Sequence, residues 1–304
     1  MSSIELKNVR KAYGKFVAVD SLSFTIEPGT MFGLLGPNGA GKTSTIRMMI
    51  GITLPDSGEI KMFGQSFSRG LLHRVGYLPE ERGLYPKMNV LDQLMFMAEL
   101  HGLSAAQARE RATKWGERLE IADAYVKKTQ ELSKGMQQKI QFIATLLHDP
   151  ELIIMDEPFS GLDPANSKLL QDVLIDLRNQ GKAILFSTHR MDQVERLCNN
   201  ICLVNKGRAV LYGDLREIKS RYGRNTVQVA FDGSPNGNHD YLAQLPAVRS
   251  LDRNEDYIQL KLAPGADAQQ LLREVSQRSR LNRFEVMEPS LEEIFIETVG
   301  KTDA

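Results

Sequence analysis

Short apolar runs alternate with segments of helical spacing along the first two thirds of the chain. Runs of this kind are typical of strands that are buried on both faces of a sheet. They predict strands at residues 31–35, 75–78, 151–155 and 182–187. The segments between them predict helices at residues 45–50, 90–101, 104–121, 132–147, 164–180 and 191–198. Strands that alternate with helices indicate an α/β sheet covered by helices.

Further strands accompany this pattern. Alternation of apolar and polar positions predicts strands at residues 4–9, 22–26 and 58–62, and a hairpin of residues 201–204 and 209–212 around the turn Lys206-Gly207. Ser104 is expected to cap the helix that follows it, and Pro164 suits the first turn of its own helix.

The composition changes after Arg221. From there the pattern predicts a strand, a helix, two strands, a helix, a strand and a last helix, an order that resembles a split βαβ unit of the ferredoxin type. We therefore expect two domains, at residues 1–220 and 221–304. The second domain holds no cluster that suggests catalysis. Dimer support or regulation of the first domain is the role predicted for it, ahead of contact with a partner in the membrane.

Charge and composition exclude some classes of function. Lys and Arg together number 38, as do Asp and Glu, so the net charge is zero and favours no nucleic-acid partner. The chain shows neither a signal peptide nor a run approaching the roughly 20 apolar residues of a membrane helix, and it is expected to be cytoplasmic. Cys198 and Cys202 are too few for a disulfide framework and are interpreted as two buried thiols rather than as half of a metal site.

A glycine-rich motif starts at Gly36. It reads Gly36-Pro37-Asn38-Gly39-Ala40-Gly41-Lys42-Thr43 and continues with Ser44. Between a strand and a helix, this spacing is that of a phosphate loop, whose backbone N–H groups surround phosphate oxygens. We expect the whole motif to bind a nucleotide, with Lys42 reaching the β- and γ-phosphates and the Thr43 hydroxyl binding Mg²⁺. A chance Gly-rich turn is disfavoured because the strand and the helix are both in register.

Asp156 and Glu157 follow the buried strand at 151–155. At the end of a strand beside a phosphate loop, Asp156 can hold Mg²⁺ and Glu157 can accept a proton from the attacking water. His189 also follows a strand and can contact a γ-phosphate, although a lone histidine is more often structural. Tyr13 can stack on adenine or pack on the sheet, and its position alone leaves both interpretations open.

Five motifs occur in the order that ATP-binding subunits of ABC transporters have them. They are the phosphate loop, Leu132-Ser133-Lys134-Gly135-Met136, the strand that ends in Asp156-Glu157, Ser160-Gly161-Leu162-Asp163 and Ser187-Thr188-His189. From about residue 4 to about residue 219 the chain therefore resembles that family. The stretch Glu80-Glu81-Arg82-Gly83-Leu84-Tyr85-Pro86 and the C-terminal extension are similar to those of sodium-export and drug-resistance exporter ATPases.

The resemblance implies an α/β fold, that of a phosphate-loop NTPase of ABC type. Its parts are a RecA-like core sheet, an antiparallel β subdomain, a helical subdomain at about residues 88–148, and here a small C-terminal α+β unit. It also implies ATP and Mg²⁺ as cofactors and a separate transmembrane permease, which would hold the chain at the inner face of the membrane.

The family's roles then fall on residues of this chain. Tyr13 stacks on adenine, Glu157 is the general base and His189 contacts the γ-phosphate. Phosphates and Mg²⁺ are held by Lys42, Thr43 and Asp156. In a head-to-tail dimer, homo- or heteromeric, Ser133 and Gly135 contact the ATP of the opposite subunit, and Asp163 lies at the seam.

The chain departs from the family pattern at three positions. The signature usually reads Leu-Ser-Gly-Gly-Gln, and here Lys134 and Met136 replace a Gly and the Gln. Glu80 stands where the family usually has Gln, and a carboxylate there can bind Mg²⁺ or position water, with a register uncertainty of one residue toward Glu81. The permease is expected to press on the loop that contains Glu80, with Leu84 and Tyr85 as candidate contacts, unless they belong to a mobile surface loop.

Other classes of ATPase fit the sequence less well than a transporter subunit. Chromosome-maintenance ATPases insert long coiled coils between the phosphate loop and the acidic strand, and residues 44–151 offer only ordinary helices. Translation factors of this type usually carry two ATPase heads in one chain. A soluble ATP-driven switch or assembly scaffold remains the alternative to an exporter subunit, and the transported substrate is not encoded in this chain.

Overall fold

The computed structural model describes residues 2–81, 83–223, 226–232 and 239–302, so Arg82 of the predicted permease-contacting loop lies outside the described part. Contacts divide the chain into two compact units, Met1–Asp214 and Leu215–Ala304. The division places a helix, Leu215–Arg221, with the second unit, whereas the boundary expected from sequence at 220 assigned most of it to the first.

The first unit contains two sheets. Its strands are β1 (Ile4–Tyr13), β2 (Phe16–Ile26), β3 (Met31–Leu35), β4 (Ser57–Met62), β5 (Gln65–Ser66), β6 (Val75–Leu78), β7 (Leu152–Asp156), β8 (Ala183–Thr188), β9 (Asn200–Asn205) and β10 (Arg208–Asp214). Its α-helices are α1 (Lys42–Met49), α2 (Val90–Leu100), α3 (Ala105–Arg118), α4 (Lys134–Leu146), α5 (Pro164–Asn179) and α6 (Met191–Leu197). Short 3-10 turns lie at Arg69–Arg74, Ala122–Ala124 and Thr129–Glu131.

The central sheet has the strand order β10-β9-β3-β8-β7-β6. The strands β9, β3, β8, β7 and β6 are parallel, and β10 pairs with β9 as the predicted antiparallel hairpin. Every residue of β3, β7 and β8 is buried, which explains their continuous apolar sequences. The carboxyl ends of these parallel strands meet at one edge of the sheet, so the segments that follow them lie side by side.

The second sheet is antiparallel, in the order β2-β1-β4-β5. The predicted strands 4–9 and 22–26 are too short, because β1 and β2 continue to a tight turn where Tyr13 pairs with Phe16. Register shifts along β1 interrupt the alternation of side chains, and this hid the longer strands from the sequence pattern. Apolar side chains of this sheet, such as Leu6 and Phe24, pack in one core with Phe32 and Ile154 of the central sheet.

Helix starts follow their sequence signals. Ser104 forms a capping box with Gln107 at the start of α3, as predicted. Asp163 caps α5 and Pro164 is its first residue. The helix α2 packs against α3 and α4. No helix among the described residues combines the length and the apolar character that crossing a bilayer demands.

The second unit begins with α7 (Leu215–Arg221), which the sequence pattern did not predict. It continues with β11 (Thr226–Phe231), β12 (Val248–Arg253), β13 (Ile258–Leu262), α8 (Ala268–Arg278), β14 (Leu281–Met287) and α9 (Leu291–Thr302). Its antiparallel sheet has the order β12-β13-β11-β14, as a split βαβ unit requires. The helix predicted near 241–245 is a single 3-10 turn, Asp240–Gln244, and a core around Val227, Leu260 and Leu271 fills the unit.

Candidate nucleotide-binding site

The phosphate loop joins β3 to α1 and lies against neighbouring backbone. Gly41 has φ 107°, and a Cβ at this position would lie 2.2 Å from the Ala18 carbonyl oxygen. Gly36 has φ 146°, and a Cβ there would lie 2.1 Å from the Val204 carbonyl oxygen. Both positions therefore require glycine, because only glycine adopts these dihedrals and allows so close an approach.

The first turn of α1 faces the opening of the loop. Gly41 is the N-cap and supplies no side-chain cap, and the first helical hydrogen bond runs from Thr45 N to Gly41 O at 2.9 Å. The N–H groups at the start of the helix carry the positive end of the helix dipole. The loop and the helix together offer an anion-binding surface of the kind that receives phosphate.

Lys42 is folded into the loop and is 7% exposed. Its ammonium donates hydrogen bonds to the carbonyl oxygens of Gly36 at 2.8 Å and Pro37 at 3.1 Å. Burial lowers the pKa of Lys42, and the nearby carboxylates, Glu157 first, act in the opposite direction. A charged phosphate oxygen accepts a stronger hydrogen bond from this ammonium than a neutral carbonyl oxygen does. The side chain is thus held ready beside the place where phosphate would enter.

Asp156 lies at the end of β7 and is 2% exposed. Its Oδ2 accepts a hydrogen bond from the Thr43 hydroxyl at 3.0 Å, and its Oδ1 accepts one from the Ser187 hydroxyl. A hydroxyl and a carboxylate side by side are oxygen ligands of the type that Mg²⁺ prefers. Thr43 and Asp156 therefore fit a magnesium ion held beside the phosphates.

Glu157 follows Asp156 with a left-handed backbone, φ 49°. Its Oε1 accepts a hydrogen bond from the His189 backbone N at 3.0 Å and lies 2.7 Å from His189 Nδ1. Its Oε2 accepts a hydrogen bond from the Thr188 hydroxyl at 3.1 Å. The end of β8 therefore holds both oxygens of this carboxylate, whose side chain is 13% exposed.

A cleft of about 340 Å³ brings these groups together. The predicted site residues that line it are Asn38, Gly39, Gly41, Lys42, Thr43, Ser44, Glu80, Asp156 and Glu157. The structure places Glu80, rather than Glu81, in this cleft. Phe16 and Ala18 also line it, and the sequence pattern indicated neither. An exposed aromatic at the tip of a hairpin beside a phosphate loop was the signal that could have identified Phe16.

Other predicted residues lie outside the lining of the cleft. Gly36, Pro37 and Ala40 form the base of the loop. Tyr13 is 45% exposed across the β1–β2 turn from Phe16, and the His189 side chain is 56% exposed. Three further residues belong to helix starts. They are Ser133, whose hydroxyl accepts from Met136 N at 3.3 Å, Gly135 in the first turn of α4, and Asp163, the cap of α5.

The cysteines take no part in this site. Both are buried free thiols, as predicted, and burial raises the pKa of Cys202 to about 12. Among the described residues, His, Cys, Asp and Glu form no group of three or more that could hold a metal ion.

Comparisons with known proteins agree with this geometry. The model of the ABC transporter family matches residues 19–160, and the model of the DrrA1-3-like ATP-binding protein C-terminal domain matches residues 213–299. An uncharacterized ABC transporter ATP-binding protein, YhaQ of Bacillus subtilis (strain 168), is 44% identical over 297 residues, 98% of each chain. The Nod factor export ATP-binding protein I of Paraburkholderia xenovorans (strain LB400) is 36% identical over 99% of this chain and 98% of its own.

A solved structure of the ATP-binding subunit of an ABC transporter is similar to this chain in fold. It covers 73% of this chain and 94% of its own length, with a TM-score of 0.68 and 30% sequence identity. The family is indicated by two features of the site, the phosphate loop and the acidic end of β7. It is also indicated by a relative that is similar over its whole length. The chain belongs to the ATP-binding proteins of ABC transporters, the family whose characteristic domain binds ATP.

Proposed function

We propose that this chain hydrolyses Mg-ATP as the motor subunit of an exporter. Two ATP-binding subunits would close head to tail around two nucleotides and drive a separate transmembrane permease. One observation carries the proposal: the cleft contains the phosphate loop and both carboxylates, but the Ser133 helix start is exposed and does not line it. Such a cleft is completed when a second subunit supplies that helix start.

Residues of one subunit would bind the nucleotide and activate water. Lys42 leaves the Gly36 and Pro37 carbonyls and binds the phosphates. Thr43 and Asp156, joined with Glu80 in the cleft, hold a magnesium ion, which would neutralise phosphate charge when bound. Glu157 accepts the proton of the attacking water, and the exposed imidazole of His189 reaches a γ-phosphate oxygen. Tyr13 stacks on adenine beside Phe16.

The opposite subunit would provide the remaining contacts. At the start of α4, the Ser133 hydroxyl and the Gly135 backbone N–H bind the γ-phosphate of the neighbour's ATP. Asp163 lies at the seam between the subunits. Hydrolysis removes the γ-phosphate that joins the halves, so the subunits can separate. ATP then acts as a ligand that favours the closed dimer.

An apolar surface beside the site suits a permease helix. Tyr85 and Phe96 contact each other edge to face, with ring centroids 6.0 Å apart, and both rings are exposed. A neighbouring groove of about 350 Å³ is lined by Leu84 and Met97, among others. Adjacent exposed apolar side chains mark interaction surfaces, and an amphipathic helix fits a groove of this type. Docking there would place the chain in the cytoplasm at the inner face of the membrane.

The direction of transport rests on relatives. The name of the relative from Paraburkholderia xenovorans refers to Nod factor export, and that protein covers this chain almost completely. Export is therefore the direction we propose. The C-terminal unit, similar in sequence to the DrrA1-3-like C-terminal domain, would support the dimer or regulate the rate of hydrolysis.

A Glu157→Gln variant tests this function. It is expected to bind Mg-ATP normally, to hydrolyse it at least about a hundredfold more slowly, and to accumulate as a dimer in size-exclusion chromatography with light scattering. Undiminished turnover would remove Glu157 as the base. Co-purification with a detergent-solubilised permease, and ATP-dependent transport in vesicles, would separate an exporter from an assembly scaffold, which predicts neither result.

A further inference from the structure

Thr188 is the last residue of β8 and is completely buried. Its hydroxyl accepts a hydrogen bond from the Arg190 backbone N at 3.1 Å and lies 3.1 Å from Glu157 Oε2. A threonine hydroxyl has one proton, and the Arg190 N–H occupies one of its lone pairs. The proton of Thr188 is consequently directed at the Glu157 carboxylate.

The backbone of Glu157 is already fixed next to the same strand. Its N–H donates to the Ser187 carbonyl at 3.1 Å, and its φ of 49° is unusual for a residue with a side chain. What remains free is the orientation of the side chain. The His189 contacts hold Oε1, and the Thr188 hydroxyl holds Oε2. Two anchors on different oxygens define the plane of the carboxylate.

The two anchors differ in mobility. The His189 side chain is 56% exposed, so its imidazole can turn toward a γ-phosphate and give up its contact with Oε1, which then keeps the His189 backbone N–H alone. Thr188 is buried in the sheet edge, where its backbone pairs in register with Leu35 at the base of the phosphate loop. The buried Thr188 hydroxyl can therefore keep its contact with Oε2 when the imidazole is engaged elsewhere.

We propose that Thr188 is a positioning residue for the general base. Its hydroxyl keeps the Glu157 carboxylate turned toward the cleft, so that the carboxylate is oriented before the attacking water is in place. This inference rests on the proposed role of Glu157 as the base. It assigns no contact with nucleotide to Thr188, so the residue is expected to affect the chemical step and not the binding of ATP.

Three substitutions in the full-length chain test the inference. Thr188→Val keeps the shape of the side chain and removes the hydroxyl. Thr188→Ala removes both the hydroxyl and the methyl group, and Thr188→Ser keeps the hydroxyl. A hydrogen bond to a charged group predicts a roughly ten- to hundredfold lower kcat for the valine and alanine variants. We expect KM and the Kd for Mg-ATP to stay within about twofold, and serine to restore most of kcat.

A double variant separates orientation from general damage to the fold. In a Glu157→Gln background, Thr188→Val should cause no further loss of single-turnover rate, because residues that act as a unit are not additive. Unchanged kcat in Thr188→Val, or an equal further loss in the double variant, would overturn the positioning role. Loss of kcat and ATP binding together with a lower Tm, unrescued by serine, would assign Thr188 to the fold. Full turnover in Glu157→Gln alone would instead contradict the proposed base.

Discussion

The Thr43 hydroxyl donates a 3.0 Å hydrogen bond to Asp156 Oδ2, although the two residues lie 113 positions apart in the chain. The contact exists because Asp156 ends β7 and Thr43 lies in the first turn of α1, which follows β3. The carboxyl ends of these parallel strands reach the same edge of the central sheet. Ser187, paired with Asp156 across β7 and β8, binds the second carboxylate oxygen. The oxygen ligands proposed for magnesium are thus arranged by the fold itself.

Replacing the Asp156 carboxylate should reduce the contribution of Mg²⁺ to nucleotide binding. Asp156→Asn is expected to weaken binding of Mg-ATP about tenfold or more, since an amide oxygen is a poorer ligand for a divalent cation than a carboxylate. Binding of ATP with excess EDTA should change little, because the phosphate loop is intact. Isothermal titration calorimetry with and without Mg²⁺ measures the difference. Asp172→Asn, at an exposed carboxylate on α5, is the control, and equal Mg²⁺ dependence in both variants would exclude Asp156 as a ligand.

A bulky cation at Ser133 should block the dimer and spare the monomer. Ser133→Arg is expected to bind ATP with unchanged affinity, because Ser133 does not line the cleft of its own chain. It should fail to dimerise in the Glu157→Gln background, as measured by light scattering with Mg-ATP. Ser104→Arg is a matched control, since Ser104 caps α3 as Ser133 caps α4 and each lost cap costs about 1 kcal/mol. An ATP dimer of Ser133→Arg would contradict the role in the opposite site.

The β1–β2 turn carries two exposed aromatic rings, those of Tyr13 and Phe16. Tyr13→Ala is expected to weaken ATP binding roughly five- to hundredfold, the range of base stacking on an aromatic ring, and to leave tripolyphosphate binding unchanged. Phe16→Ala is the matched substitution, since the two residues pair across the turn and Phe16 lines the cleft. Competition with a fluorescent nucleotide compares them. If Tyr13→Ala bound ATP with unchanged affinity and Phe16→Ala bound it more weakly, the stacking role would belong to Phe16.

Buried parallel strands were the part of the fold that the sequence predicted best. The strands predicted at 31–35 and 75–78 coincide with β3 and β6, because burial on both faces produces unbroken apolar runs. The outer ends of β1 and β2 were missed, since register shifts break their alternation. The short helix α7 was missed as well, with few apolar positions to indicate a helix.

Site residues within one motif were also accessible, because a phosphate loop is contiguous in sequence. Contacts between side chains on neighbouring strands could not be predicted from the sequence. That the Thr188 hydroxyl reaches Glu157 depends on the register of β7 and β8, which no local pattern specifies. That Phe16 lines the cleft depends on the full length of β2. Ser133 and Asp163 are recognisable from family resemblance, whereas within one chain they are simply exposed helix caps.

A stacked pair of histidines should make the first unit sensitive to acid. The rings of His148 and His101 stack with centroids 3.8 Å apart, and His148 Nε2 lies 3.0 Å from the Val75 carbonyl oxygen. Burial, and secondarily His101, lower the pKa of His148 to about 4 from 6.5. At a pH between these two pKa values, the His148 imidazole is protonated in the unfolded chain and neutral in the folded chain. The free energy of unfolding should therefore fall as pH decreases through this window and be unaffected by His148 above it.

Urea unfolding at about pH 7 and about pH 5, followed by fluorescence of the single tryptophan, Trp115, measures this dependence in the first unit. His148→Gln removes the titrating ring and keeps a donor for the Val75 carbonyl. It is expected to lose less stability than the wild-type chain over the same pH step, whatever its stability at neutral pH. His73→Gln, at an exposed histidine, is the control and should behave as wild type. Equal losses in wild type and His148→Gln would show that protons taken up elsewhere cause the acid sensitivity.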